Sequence, residues 1–189
     1  MGKQHILWVA ILILTVSCEQ PVPRTDSAEG FYDVSAYLQK QKQYMQEKQP
    51  VLLKSVQTGD KPVETEKITR TDWENELSIF EEADLRKPSL RDYYTRQEQA
   101  LSNGGLSIRY DKIKDAEAPI EYLYLQLTPE RSLQHLETSF LEKNTLFYSY
   151  RTASLSVDPV SGNIESYQIQ GVQKLVFSDS LRYIIKATL

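Results

Sequence analysis

Tyr93-Tyr94-Thr95-Arg96-Gln97-Glu98-Gln99-Ala100-Leu101-Ser102-Asn103-Gly104-Gly105-Leu106-Ser107-Ile108-Arg109-Tyr110-Asp111-Lys112-Ile113 is the stretch that decides the fold. Its second arm sets Leu106, Ile108 and Tyr110 against Ser107, Arg109 and Asp111, the period of two that a half-buried strand requires. Asn103-Gly104 between the arms supplies residues that tolerate positive φ, which marks a hairpin. The same period recurs downstream. Ile120 to Leu127 is followed by Leu146 to Val157, a turn at Asp158–Asn163, Ile164 to Phe177, a turn at Ser178-Asp179-Ser180, and Leu181 to Leu189. Strands joined by short turns make an antiparallel meander.

Between Leu127 and Leu146 one segment fits less cleanly. Leu133, Leu136, Phe140 and Leu141 sit at helical spacing, and Thr128-Pro129-Glu130 could start a helix. It could equally make a turn, and the meander then runs on through a strand from Leu133 to Leu141, the assignment expected here. Upstream, Val51 to Gln57 and Val63 to Thr69 flank Thr58-Gly59-Asp60-Lys61-Pro62 as a second hairpin.

Two helices are expected before the meander. Asp33 caps the first, with Val34, Tyr37, Leu38, Tyr44 and Met45 on its apolar face, Gln39, Lys40, Lys42, Gln43 and Gln46 on the other, and Pro50 closing it. Its narrow stripe and abundant glutamines favour a core-facing helix over one lying on a membrane. Thr71-Asp72-Trp73-Glu74 reads as a capping box for the second, whose stripe is Trp73, Leu77 and Phe80 and which Pro88 stops. The fold class expected is α+β: mainly an antiparallel β meander in a curved sheet or half-barrel, with two helices from the N-terminal half packed on it.

The amino terminus carries a different message. Lys3 and His5 precede an apolar run beginning at Ile6, and Thr15-Val16-Ser17 lead to Cys18. A basic start, a short apolar stretch and small residues are the parts of a secretory signal. The eleven residues from Ile6 to Val16 fall short of the ~20 that span a bilayer as a helix. Leu14-Thr15-Val16-Ser17-Cys18 resembles the lipobox of bacterial lipoproteins, with Thr15 where leucine is commonest. The resemblance implies that Cys18 carries lipid, palmitate among its acyl chains, and becomes the first residue after cleavage.

The expected organisation is therefore a signal peptide over 1–17, a lipidated cysteine and tether over 18–30, and one soluble α+β domain over 31–189. Glu19 to Gly30 is rich in proline and small polar residues and would reach at most ~37 Å, at ~3.1 Å per residue. No acidic run follows Cys18, which tilts the expected location to the periplasmic face of the outer membrane, with the membrane itself as a partner through the lipid. Trp73 with its flanking acids, Tyr148 to Leu155, and Tyr167 to Leu175 resemble lipoproteins of Gram-negative envelopes whose tethered α+β domain ends in a meander. That family brings no known activity. More distantly, the outline is similar to the half-barrel of lipoprotein carriers, a likeness of architecture that transfers no residues.

Composition narrows the chemistry. The formal charge of −4 becomes −5 without the first seventeen residues, because Lys3 is the one charged residue among them. A mildly acidic chain with scattered charges offers no footprint for nucleic acid. A single cysteine forms no internal disulfide, so the core must hold the fold.

Beyond the signal segment His135 is the one histidine, and with Cys18 taken by lipid neither a Cys–His pair nor a histidine-rich metal site can be assembled. No serine sits in a G-x-S-x-G elbow or three places before a lysine. Glu81, Glu82 and Asp84 are the densest carboxylates and read as a solvated helix face. Asp158 to Asn163 carries Val160 where a calcium loop needs an oxygen, so it reads as a plain turn. Neither an enzyme activity nor a cofactor is expected.

Tyrosine stands out, with twelve in the chain and all of them after residue 30. Tyr122 and Tyr124 share a face of one strand, and Tyr148 and Tyr150 share a face of another. Such rings can hold an apolar or aromatic ligand, or simply suit half-buried sheet positions. The strand from Ile120 to Leu127 looks apolar on both faces, with Ile120, Tyr122 and Tyr124 opposite Leu123, Leu125 and Leu127. Two expectations follow. The domain binds an apolar or aromatic small molecule in a curved sheet, or it docks another envelope protein.

Overall fold

The computed structural model describes residues 30–189. The signal peptide, Cys18 and the tether up to residue 29 lie outside the described residues. The chain runs α1 (Val34–Lys48), β1 (Leu52–Thr58), β2 (Glu64–Ile68), α2 (Trp73–Glu76), α3 (Ser78–Glu82), a 3-10 turn (Arg91–Tyr93), then β3 (Tyr94–Ala100), β4 (Leu106–Lys112), β5 (Ile120–Leu127), β6 (Leu133–Lys143), β7 (Phe147–Val157), β8 (Ile164–Leu175) and β9 (Leu181–Thr188).

All nine strands join one antiparallel sheet in the order β2-β1-β9-β8-β7-β6-β5-β4-β3. β3 to β9 form the expected meander, and the segment at Leu133–Lys143 is a strand within it. The β1–β2 hairpin adds to the far side of β9, so the first described strand pairs with the last. β2 and β3 are the two edges and do not pair with each other, so the sheet is open.

The register sorts the sheet into two faces. Ile108, Leu125, Leu136, Leu155, Tyr167 and Ala187 line up across β4 to β9 on one of them, and all are buried. Val34, Leu38 and Met45 of α1, with Trp73, Leu77 and Phe80 from the next two helices, belong to the same apolar cluster. The ring of Phe80 meets that of Tyr167 edge-on at 6.0 Å between centroids. Beneath it the Tyr167 hydroxyl donates to Glu76, which also holds the Lys54 ammonium at 2.6 Å. At the other side Phe31 stacks on Tyr110 at 5.1 Å, and the Tyr110 hydroxyl donates to the Gly30 carbonyl at 2.9 Å.

Several local expectations change. The buried stripe of α1 is Val34, Leu38, Gln41, Lys42 and Met45, while Tyr44, expected inside, is exposed. Both polar members have a reason to be buried. The Gln41 amide donates to the Gly162 carbonyl and its Oε1 accepts from the Ile164 N–H, tying α1 to the β7–β8 turn. Lys42 reaches Glu74 at 2.5 Å and Glu81 at 2.7 Å, bridging α1 to both short helices. Those two hydrogen-bonded carboxylates hold the Lys42 pKa above its ordinary value even though burial opposes the charge.

Nor is the second helix continuous, since it breaks at Leu77 into α2 and α3. Its cap is Asp72 rather than Thr71: Asp72 Oδ1 accepts from the backbone N–H of Glu74 and of Asn75. The box fails because Glu74 turns away to Lys42, and Thr71 Oγ1 is buried without a hydrogen-bond partner among the described residues.

Candidate functional site

The face opposite the one lined by Ile108, Leu125, Leu136 and Leu155 is the candidate site, because all four singled-out tyrosines lie on it. β5 and β6 place Tyr122 beside Ser139, β6 and β7 place Ser139 beside Thr152, and Tyr148 and Tyr150 stand on the same side of β7 as Thr152. Tyr122, Tyr124 and Tyr150 are half-buried, and Tyr148 is 38% exposed. Glu137, Ser154, Ser156 and Gln168 fill much of the remaining surface, so the face is a polar sheet with aromatic rows across it.

The expectation of two apolar faces on β5 is only half met. A bulge between Ile120 and Tyr122 turns Ile120 onto the helix side, where it is fully buried opposite Phe140. A one-residue irregularity is enough, since side chains alternate with a period of two. Tyr122 and Tyr124 stay on the uncovered face, and their polar tips explain how they do so.

The Tyr122 hydroxyl donates to Glu137 at 2.5 Å, and the Arg109 guanidinium lies over its ring at 4.5 Å from the centroid. Burial, reinforced by the Glu137 carboxylate, pushes the Tyr122 pKa well up, so the ring presents a neutral phenol at any physiological pH. Tyr124 Oη accepts from the Gln126 amide at 2.8 Å. The Ser139 hydroxyl beside Tyr122 is fully buried and has no hydrogen-bond partner among the described residues.

Beside Tyr150 the surface dips into a cleft of about 250 Å³, lined also by Thr152, Gln170, Val172, Arg182 and Ile184. It is a surface groove, not the interior of the sheet. Sequence reasoning found Tyr150 but missed Val172 and Ile184. The visible signal was their place among polar neighbours on β8 and β9, which an eye seeking the core passes over.

His135 lies on this face as well, half-buried, with Nδ1 at 3.4 Å from Ser156 Oγ; burial lowers its pKa and favours the neutral ring. Among the described residues no three His, Cys, Asp or Glu side chains gather in a metal-binding group. Asp158 serves its turn, accepting the N–H groups of Val160 and Ser161, which lowers its pKa. Glu81, Glu82 and Asp84 separate: Glu81 holds Lys42, Glu82 holds Arg151 at 3.3 Å, and Asp84 holds Arg86 at 3.3 Å. No helix among the described residues is long and apolar enough to cross a membrane. Comparison with family models, with curated proteins and with solved structures gives no match to this chain.

Proposed function

We propose that this protein is a lipoprotein of the bacterial envelope, held by lipid on Cys18 at the periplasmic face of the outer membrane, that docks another envelope protein on the uncovered face of its sheet. The observation that carries the docking reading is the convergence of Tyr122, Tyr124, Tyr148 and Tyr150 on that one face. Tyrosines present amphipathic area at low entropic cost, as protein-binding surfaces do, and two of the four have their hydroxyls held, Tyr122 by Glu137 and Tyr124 by Gln126. In this reading the open sheet is a shallow half-barrel, with α1 and the α2–α3 pair as the two helical units that close its other side. The domain performs no catalysis and needs no cofactor.

A second reading has one observation in its favour. The cleft beside Tyr150 brings Val172 and Ile184 against an aromatic ring and suits a flat apolar or aromatic molecule.

Two measurements test the proposal. Metabolic labelling with a fatty acid should mark the wild-type chain and leave Cys18→Ser unlabelled; equal label in both removes the anchor. A photo-crosslinking residue at position 124 or 150 should trap one and the same protein adduct, and at Asn75 on the helix side should trap none. Equal adducts from all three positions, or none from 124 and 150, refute docking on this face. A small adduct from 150 alone favours the ligand.

A further inference from the structure

The ends of two neighbouring hairpins leave much apolar surface in water. Leu146 is 63% exposed, Leu175 56% and Phe177 96%. They form one patch, because Phe147 stands opposite Leu175 and the Val176 N–H donates to the Leu146 carbonyl at 3.1 Å. Directly behind it, the register sets Lys143, Tyr148 and Lys174 side by side on the uncovered face. Between lysines and tip lies a cleft of about 300 Å³. The order along the strands is thus an apolar tip, then a tyrosine between two lysines, then the polar face.

We infer that this tip enters the headgroup region of an anionic lipid bilayer. Aliphatic and phenylalanine side chains belong at the acyl boundary, tyrosine at headgroup depth, and lysine stems lie along apolar surface while their ammonium groups meet phosphate. The local charges fit. Lys143 and Lys174 are exposed, Glu142 is held by Arg151 at 2.9 Å, and Asp179 is the one acid in the β8–β9 turn. A cationic tip on an acidic chain is a local exception.

Reach also fits, and this step alone rests on the proposed Cys18 anchor. β8 has twelve residues, about 40 Å from end to end. Gly30 to Tyr32 lie by Leu106, Leu127 and Arg131, at the opposite end of the sheet from the tip. A tether of at most ~37 Å is long enough for the domain to lie over and set the tip in the bilayer that anchors it.

Phe177→Trp in the full chain, purified from cells fed labelled fatty acid, reports the tip directly, because position 177 makes no packing contact that the change would disturb. On vesicles of phosphatidylcholine with phosphatidylglycerol, the added emission should shift to the blue and be quenched by brominated lipid. Adding Lys143→Glu and Lys174→Glu should weaken this partitioning about tenfold or more, and phosphatidylcholine alone should weaken it likewise. Emission at 177 that stays as in buffer on both vesicles overturns the inference. So does quenching confined to native envelope membranes and abolished by protease, which would make the occupant a protein. Label on Cys18 keeps the two ideas apart: a labelled chain with an unshifted tip retains the anchor and loses the tip, and an unlabelled chain with a quenched tip does the reverse.

Discussion

Glu76→Ala is the substitution that most directly probes how the helical segment is tied to the sheet. Glu76 accepts from the Tyr167 hydroxyl and pairs with Lys54 at 2.6 Å, so one carboxylate joins α2 to β8 and β1. Tyr167 is 3% exposed, and its hydroxyl would lose a charged acceptor in a place that water hardly reaches. A hydrogen bond to a charged group is worth roughly 1.5–3 kcal/mol. The side chains of Lys54 and Glu76 are 24% and 16% exposed, so their pairing adds only about 0.5–1 kcal/mol after solvent screening. The expected loss is therefore about 2–4 kcal/mol, or roughly 5–12 °C in Tm for a domain of this size. Glu76→Gln keeps an acceptor for Tyr167 and removes only the charge, so it should cost about half as much. Tyr167→Phe should account for roughly 1–2 kcal/mol, and the double variant should show less than the sum of its parts. Urea unfolding followed by circular dichroism measures all four chains. A Glu76→Ala chain within about 0.5 kcal/mol of wild type would refute the reasoning, because a surface substitution that touches nothing costs no more.

Two other outcomes follow from the described geometry. Burial lowers the His135 pKa, so the folded chain binds fewer protons than the unfolded one as pH falls through the ordinary histidine range near ~6.5. Stability should therefore fall with pH below about 6.5, and His135→Gln should flatten that part of the urea-midpoint profile; parallel profiles would remove His135 as the cause. Among glycines, a Cβ at Gly105 would sit 2.4 Å from the Leu127 carbonyl oxygen, whereas one at Gly171 would meet the tip of the Tyr183 ring at 2.7 Å. A half-exposed ring can swing aside and a ladder carbonyl cannot, so thermal melts should show Gly105→Ala the more destabilised of the two, by about 1–3 kcal/mol. The reverse order would refute this.

Most strands were legible because they carry their own signal, alternation inside and turn residues at the ends; Leu133–Lys143 is the exception, a strand whose apolar residues fall at helical spacing. Ile120–Leu127 has the bounds that its sequence suggests. What the chain does not write locally is the partner of β1. Leu53 to Thr58 pair with Tyr183 to Thr188, more than a hundred residues away, and nothing in either strand names the other. The α1 stripe was misread for a related reason. Gln41 and Lys42 look like surface residues until Ile164, Glu74 and Glu81 arrive from elsewhere to satisfy them. A buried polar group is legible only with its partner, and these partners are distant in sequence.

The candidate site was half legible for the opposite reason. Alternation says which residues share a face of one strand, but register decides which strands' faces coincide. Tyr122 with Tyr124 and Tyr148 with Tyr150 are two separate pairs in the sequence, and only the uninterrupted pairing of β6 with β7 from His135 to Lys143 brings them onto one surface. The bulge after Ile120 acts in the other direction, taking an isoleucine from that surface and giving it to the core. Both effects matter to the proposed docking. Without the bulge the uncovered face would carry an extra large aliphatic beside Tyr122 and invite indiscriminate association. With it, the aromatic rows are set in serine, threonine and glutamine, while Leu146, Leu175 and Phe177 gather exposed apolar surface at the tip beyond Lys143 and Lys174. In the proposed readings one sheet carries two surfaces of different chemistry, a polar tyrosine face suited to a protein and an apolar cationic tip suited to lipid. Tyr148 lies where they meet, so substitutions at Tyr122 or Tyr124 on the one and at Phe177 on the other are those that should leave the other surface's binding intact.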